Sequence, residues 1–219
     1  ALPLAQGVKM ANKDLTVIAS GGDGDGYAIG MGHTIHALRR NMNMTYIVMD
    51  NQIYGLTKGQ TSPSSAKGFV TKSTPKGNIE KNVAPLELAL SSGATFVAQG
   101  FSSDIKALTK MIEAAIHHDG FSFVNVFSPC VTYNKVNTYD WFKEHLTSID
   151  DIEGYDNTDK QLAMKTVLDH ESLVKGIVYQ DTTTPSYESQ ISELEHEALA
   201  KRDIHITEET FNDLTAQFL

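Results

Sequence analysis

The chain has 219 residues, 41% hydrophobic and 21% charged, enough for one α/β domain with a real core. No apolar run reaches membrane-spanning length, and the start Ala1-Leu2-Pro3-Leu4-Ala5-Gln6 lacks the basic and apolar regions of a signal peptide. A cytoplasmic protein without a membrane partner is therefore expected. The formal charge of −9 divides into +3 over residues 1–135 and −12 over residues 136–219, which makes nucleic acid an unsuitable partner for the tail, and the lone Cys130 excludes an internal disulfide.

Pro3 to Asn12 reads as a helix, with Leu4, Val8 and Ala11 on one face. Leu15 to Ser20 reads as a short buried strand. Ala28 to Asn41 reads as a helix with Ile35 and Leu38 inward and Arg39-Arg40 at its end, where cations suit the dipole. Thr45 to Asp50 is the second strand. Strand, glycine loop, helix and strand make a βαβ unit, which implies parallel pairing and a right-handed crossover.

Residues 55–82 form a long irregular segment with Lys58, Lys67, Lys72, Lys76 and Lys81 against one acid, Glu80. Loops of this length are uncommon unless they have a function or are disordered. Pro85 to Ser92 is a helix stopped by Gly93, and Thr95 to Ala98 a strand. Ser103 to His118 is a helix capped by Ser102 or Ser103, with Gly120 beyond its end. Phe121 to Phe127 is a strong strand, ended by Ser128-Pro129-Cys130. Tyr139 to Leu146 and Lys160 to Leu168 are helices, and Leu173 to Tyr179 is a last strand at a sheet edge. The expected architecture is α/β, a mostly parallel sheet with helices on both faces. Residues 1–180 make the domain and residues 181–219 an acidic, partly helical extension.

The chemistry concentrates at Gly22-Asp23-Gly24-Asp25-Gly26, directly after the first strand. A dinucleotide fingerprint fails here, because Tyr27 or Ile29 falls where its last glycine belongs. A Walker loop is absent, and an EF-hand loop from Asp23 would put Ala28 and Thr34 at its glycine and glutamate positions. Asn51 follows Asp23 by 28 residues, the length of a loop, a helix and a strand. Both residues can thus lie at one edge of a parallel sheet, where ligands are expected. An acid and an amide so placed can share a hard divalent cation over a diphosphate. The helix N-terminus at Gly24 and Asp25 would receive the phosphate oxygens on backbone N–H groups. A tight turn and a strand-end asparagine are the plainer reading of either half alone.

The longer strings Gly22-Asp-Gly-Asp-Gly-Tyr-Ala-Ile-Gly30, His33-Thr-Ile-His-Ala-Leu-Arg-Arg-Asn41 and Asp50-Asn-Gln-Ile-Tyr-Gly-Leu-Thr-Lys-Gly-Gln-Thr-Ser-Pro63 carry a resemblance. Together with Ser128-Pro-Cys-Val-Thr-Tyr-Asn134, the chain resembles the β subunit of 2-oxoacid:ferredoxin oxidoreductases, closest to the 2-oxoglutarate type. The resemblance runs from the first residue to about residue 188. It implies a thiamine diphosphate site and CoA-dependent oxidative decarboxylation of a 2-oxoacid. Electrons would leave one at a time through a 4Fe–4S cluster to ferredoxin. The cofactor would supply the carbon chemistry and the protein its orientation.

Carried over by residue, Asp23, Asn51 and the carbonyl of Ile53 match the Mg²⁺ ligands, with two diphosphate oxygens and a water completing six. Gly22, Gly24, Asp25, Gly55 and Leu56 match the diphosphate and thiazolium contacts. Lys58 matches a lysine near the substrate carboxylate and coenzyme A; a solvated loop lysine is the plain alternative. Cys130 matches one of four cluster thiolates. The family's other three lie N-terminal to Ala1, so the resemblance implies a chain from which that segment is missing. His33 and His36 suit capping or core roles better than a metal pair, with His33 near the cofactor. His117-His118 suits a dipole-complementing pair. The family's α subunit provides the pyrimidine side, so the cofactor is expected at a subunit interface and the chain alone is expected to be inactive. The alternatives are a non-oxidative thiamine diphosphate enzyme subunit, or an inactive cofactor-binding fragment that only assembles with a partner.

Overall fold

The computed structural model describes residues 1–195, 197–203, 205–216 and 218. Helix α1 (Leu2–Ala11) opens with a proline in its first turn, where the missing N–H does no harm. It docks through Leu2, Ala5 and the stem of Lys9, whose ammonium donates to the carbonyls of Lys13 (2.6 Å) and Leu15 (2.9 Å). The apolar face expected from Leu4 and Val8 points the other way. Both are exposed, because Leu2, Ala5 and Lys9 fill the packed side.

Strand β1 (Ile18–Gly22) begins later than its apolar run, so that Gly21 and Gly22 pair with Val48 and Met49 of β2 (Met44–Asp50). Between them, Asp25–Ile29 forms a single π-helical turn before α2 (Met31–Arg40). The expected helix from Ala28 therefore starts later and is entered through a wider coil. It buries Ala37 and Leu38, leaves Ile35 half-buried, and ends at Asn41 in the left-handed region (φ 55°), a common helix stop.

The remaining elements are α3 (Pro85–Ser91), β3 (Phe96–Phe101), α4 (Ile105–His117), β4 (Phe121–Phe127), α5 (Tyr139–His145), β5 (Thr147–Ser148), α6 (Lys160–Asp169), β6 (Val174–Gln180) and α7 (Glu208–Ala216). The α4 cap is Asp104, which accepts the Ala107 N–H at 3.2 Å, and not Ser102 or Ser103. The strand order is β1-β2-β4-β3-β6-β5. β1, β2, β4 and β3 run parallel, while β6 is antiparallel to β3. β6 is not the edge expected of it, because the short β5 pairs along its outer side.

Alternation along the central strands sends side chains to two cores. Tyr46, Val48, Val97, Phe121 and Phe123 pack with Leu38 of α2, Leu86 and Leu90 of α3 and Val167 of α6. Phe96, Ala98, Val124 and Val126 pack with Met111 and Ala115 of α4. Helices thus cover both faces, as the pattern requires of parallel strands. None of the helices among the described residues is long and apolar enough to cross a membrane.

At the amino ends of the strands, Asn41 becomes a node. Its Oδ1 accepts from Thr95 Oγ1 (2.6 Å) and the Phe121 N–H (2.8 Å), and its carbonyl accepts the Tyr187 N–H (3.0 Å). His118 belongs to this node and not to an exposed helix end. It is buried, lies 2.7 Å from Thr95 Oγ1, and packs on Phe96. The two neighbours expected to act as a pair therefore differ: His117 is exposed at the end of α4, and His118 is core. His33 and His36 are both exposed. The first stretch of the acidic segment is anchored here, with Glu188 and Leu194 buried.

Candidate cofactor and metal site

β1 and β2 end side by side in parallel register, Gly22 opposite Met49. The next residues, Asp23 on one chain segment and Asp50-Asn51 on the other, therefore emerge together at the carboxyl edge of the sheet. Asp23 is 3% and Asp50 2% exposed. Two buried carboxylates this close need donors or a cation. Ser64 Oγ bridges them, bonding Asp23 Oδ2 and Asp50 Oδ1 (2.9 Å), and Ser62 Oγ donates to the same Asp23 Oδ2 at 2.6 Å.

Burial, then the neighbouring Asp23 charge, push the Asp50 carboxyl up to about 7 against the opposing bonds from Ser64, Asn125 and the Gln52 N–H. Behind it runs a buried polar chain. Asn125 donates to Asp50 Oδ2 (3.4 Å) and to Gln99 Oε1 (2.9 Å), and accepts from the Tyr27 hydroxyl at 2.7 Å. Gln99 in turn donates to the carbonyls of Ser172 and Val174, both at 2.7 Å. Burial raises the Tyr27 phenol well above its ordinary value, so it is a hydrogen-bond donor here.

The turn after β2 is shaped for close approach. Gln52 takes a left-handed φ of 59°, and Asn51 Oδ1 accepts the Ile53 N–H at 3.0 Å. Ile53 is buried, and its carbonyl accepts no hydrogen bond among the described residues. Gly24 leaves room for Tyr54: a β-carbon there would stand 2.1 Å from Cε1 of Tyr54 and push the ring aside, so the two turns touch. Gly26 is equally confined by the Tyr46 hydroxyl, 2.7 Å from where its β-carbon would sit. Asp25 is exposed at the start of the π turn.

Gly55 brings the same turn to Cys130, whose Sγ would lie 3.5 Å from a β-carbon at residue 55. Leu56 is 98% exposed, and Lys58 is exposed with a φ of 74° and no ion pair among the described residues. Asn134 Nδ2 reaches the Asn51 carbonyl at 3.4 Å, tying the Cys130 loop to the Asn51 turn. Gly22, Asp23, Gly24, Asp25, Asn51, Ile53, Gly55 and Cys130 thus gather around one edge, with Leu56 and Lys58 on its solvent side. Among the described residues no cluster of three or more His, Cys, Asp or Glu side chains forms a metal cage. The oxygens at this edge that could serve a cation are one carboxylate, one amide oxygen and one backbone carbonyl. Asn51 Oδ1 keeps a second lone pair, and the Ile53 carbonyl has no partner among the described residues; such oxygens suit Mg²⁺ completed by phosphate and water.

Sequence reasoning passed over Ser62, Ser64, Asp50 and Asn125. Asn125 left a signal, an amide inside the otherwise apolar strand Phe121–Phe127. A cavity of about 780 Å³ lined by Asp104, Lys106, Ile149, Tyr155 and Gly176 lies beside α4 and holds none of the site residues.

Residues 1–126 match the model of the thiamine pyrophosphate enzyme C-terminal TPP-binding domain, and residues 130–196 match that of the C-terminal region of the pyruvate ferredoxin oxidoreductase β subunit. The chain is 42% identical over 201 residues to the 2-oxoacid:ferredoxin oxidoreductase subunit β of a Sulfolobus species, covering 87% of this chain and 66% of that one. It is 47% identical over 131 residues to the 2-oxoglutarate oxidoreductase subunit KorB of Mycobacterium tuberculosis, 60% of this chain and 35% of that protein. A solved structure of 2-oxoglutarate:ferredoxin oxidoreductase from Magnetococcus marinus, with 2-oxoglutarate, coenzyme A and succinyl-CoA bound, superposes with a TM-score of 0.87 at 36% identity, covering 98% of this chain and 72% of that one. The chain spans about two thirds of the length of the Sulfolobus relative.

Proposed function

The chain belongs to the 2-oxoacid:ferredoxin oxidoreductase β-subunit family, and we propose that it forms the metal-and-diphosphate half of a thiamine diphosphate site. On this reading it serves CoA-dependent oxidative decarboxylation of a 2-oxoacid, with 2-oxoglutarate as the substrate. The observation that carries the reading is the meeting of the Asp23 turn and the Asp50-Asn51 turn, with Tyr54 against Gly24 and Ser64 between the two acids. The 2-oxoglutarate assignment is supported by relatives named as KorB and by the ligands of the Magnetococcus structure.

In this reading Asp23, Asn51 and the Ile53 carbonyl hold Mg²⁺. Gly22, Gly24 and Asp25 present backbone to the diphosphate, where the start of a helical turn favours an anion. Gly55 and Leu56 line the thiazolium side. Lys58, exposed and without an ion pair among the described residues, draws the carboxylate of the substrate or the phosphates of coenzyme A by simple charge. Cys130 contributes one thiolate to a 4Fe–4S cluster whose other ligands lie outside this chain. Thiamine diphosphate held there would supply the nucleophilic carbon and the electron sink that decarboxylation of a 2-oxoacid needs. The chain's own work is to fix the cofactor's charged end, exclude water beneath it and position the acids.

The pocket is completed by an α subunit, and ferredoxin accepts the electrons. Leu56 and Ile29, 98% and 91% exposed at the rim, support burial of this edge by such a partner. Calorimetric titration with thiamine diphosphate, with and without Mg²⁺, tests the reading. Binding should need Mg²⁺ and vanish in Asp23→Ala; binding that ignores either change refutes it.

A further inference from the structure

The two oxygens of the Asp23 carboxylate have different fates. Oδ2 accepts hydrogen bonds from Ser62 Oγ, at 2.6 Å, and from Ser64 Oγ. Oδ1 accepts none among the described residues, yet it is not one of their fully buried unpartnered atoms, so it keeps a small accessible surface. The asymmetry is built in. Ser62 and Ser64 are 4% and 3% exposed, and both sit in a short turn that is itself clamped. The Ser62 N–H donates to Ser65 Oγ (2.9 Å), the Ser65 N–H to the Ser62 carbonyl (3.1 Å), and Ser65 Oγ to the Gln52 carbonyl (2.6 Å). Asn78 Nδ2 holds the Ser65 carbonyl at 3.1 Å, and the Val83 N–H holds the Pro63 carbonyl at 2.9 Å. The long irregular segment is thus fastened so that two hydroxyls meet one carboxylate oxygen.

We propose that Ser62 and Ser64 determine which metal ion the site accepts, by holding Asp23 Oδ2 and leaving Oδ1 as the single oxygen offered to the cation. The inference rests on Asp23 being a metal ligand. A carboxylate restricted to one oxygen suits Mg²⁺, which demands octahedral geometry at about 2.0–2.1 Å. Ca²⁺ takes more ligands at about 2.3–2.6 Å and commonly grips carboxylates through both oxygens. Here a two-oxygen grip would have to displace both buried hydroxyls from Oδ2, forcing Ser64 wholly onto Asp50 Oδ1 (2.9 Å) and Ser62 onto the longer contacts with the Ser64 and Ser65 hydroxyls (3.3 Å each). The serines therefore penalise Ca²⁺ specifically, which is how outer-shell partners tune a metal site.

The test titrates the 219-residue chain with thiamine diphosphate in saturating Mg²⁺ and again in saturating Ca²⁺, and reads the ratio of the two affinities. Comparing the ratio between variants cancels the cofactor's own preference for either ion. In Ser62→Ala/Ser64→Ala the ratio should shift toward Ca²⁺ by about tenfold or more. In Ser62→Thr/Ser64→Thr, which keeps both hydroxyls, the wild-type ratio should persist. Should the double alanine variant lose its circular dichroism signature, Ser62→Ala and Ser64→Ala singly decide the matter by smaller shifts in the same ratio. Equal weakening with both ions would overturn the inference and leave the cofactor reading standing, since a merely structural role moves both affinities together. Failure of the wild type to bind with either ion, both alone and with the α subunit that completes the pocket, would overturn the cofactor reading and this inference with it.

Discussion

The ring of Tyr54 lies against the backbone of Gly24, so close that a β-carbon at residue 24 would stand 2.1 Å from Tyr54 Cε1. Tyr54 is partly exposed and can swing out, so a side chain at residue 24 disturbs the crevice more than the core. Gly24→Ala should melt within about 1 kcal/mol of wild type, because the group that must move is the exposed Tyr54 ring and not the packed core. Its Mg²⁺-dependent affinity for thiamine diphosphate should fall by about tenfold, ~1.4 kcal/mol. Calorimetry and thermal melting read the two effects separately; unchanged affinity would refute the close approach of backbone to diphosphate.

Asn125 serves three partners at once, Tyr27, Gln99 and Asp50. Asn125→Ala removes all three bonds in a buried strand and opens a gap. The expected loss is about 1–3 kcal/mol, the range for buried groups left without a partner. Denaturant midpoints measure it. A change under about 0.5 kcal/mol, typical of uninvolved surface positions, would show that the chain of side chains contributes nothing to stability.

The imidazole of His118 sets a pH dependence. Thr95 commits its hydroxyl hydrogen to Asn41 Oδ1, so His118 Nε2 must carry the proton it shares with Thr95, and Nδ1 is left a buried lone pair without a donor. Burial lowers the His118 pKa, with Asp119 and Asp181 opposing. The folded state therefore holds the ring neutral when the unfolded chain would already bind a proton. Stability is whole above the ordinary histidine value of about 6.5 and declines as pH falls through it. Below that pH, wild type should lose up to ~1.4 kcal/mol per pH unit more than His118→Gln, which keeps a donor but does not titrate. Parallel stability curves for the two proteins would contradict this.

Much of the frame was legible because local pattern and tertiary role agree. Pro85 and Gly93 bracket α3, and the run Phe121–Phe127 is buried at every position. Gly22-Asp23-Gly24 and Asn51 came to one edge because a βαβ unit leaves little choice. What escaped was decided by contacts far along the chain. Ser62 and Ser64 reach Asp23 across 39 and 41 residues, and no local period marks a serine in a loop as a buried donor. His118 read as a helix-end cation until Thr95 and Phe96 closed over it. The inner position of β6 depends on β5, a strand of two residues too short to announce itself. Asp104 displaced two serines as the α4 cap because all three residues can cap and only backbone geometry chooses.

The central claim is that Asp23 and Asn51 share one cation, and a double-mutant cycle tests it most directly. Mg²⁺-dependent thiamine diphosphate affinity is measured for wild type, Asp23→Ala, Asn51→Ala and the double variant. If one ion is held by both side chains, losing either already forfeits most of its hold, and the double variant should bind little worse than the weaker single one. Losses that simply add would place the two residues on independent tasks and contradict the account.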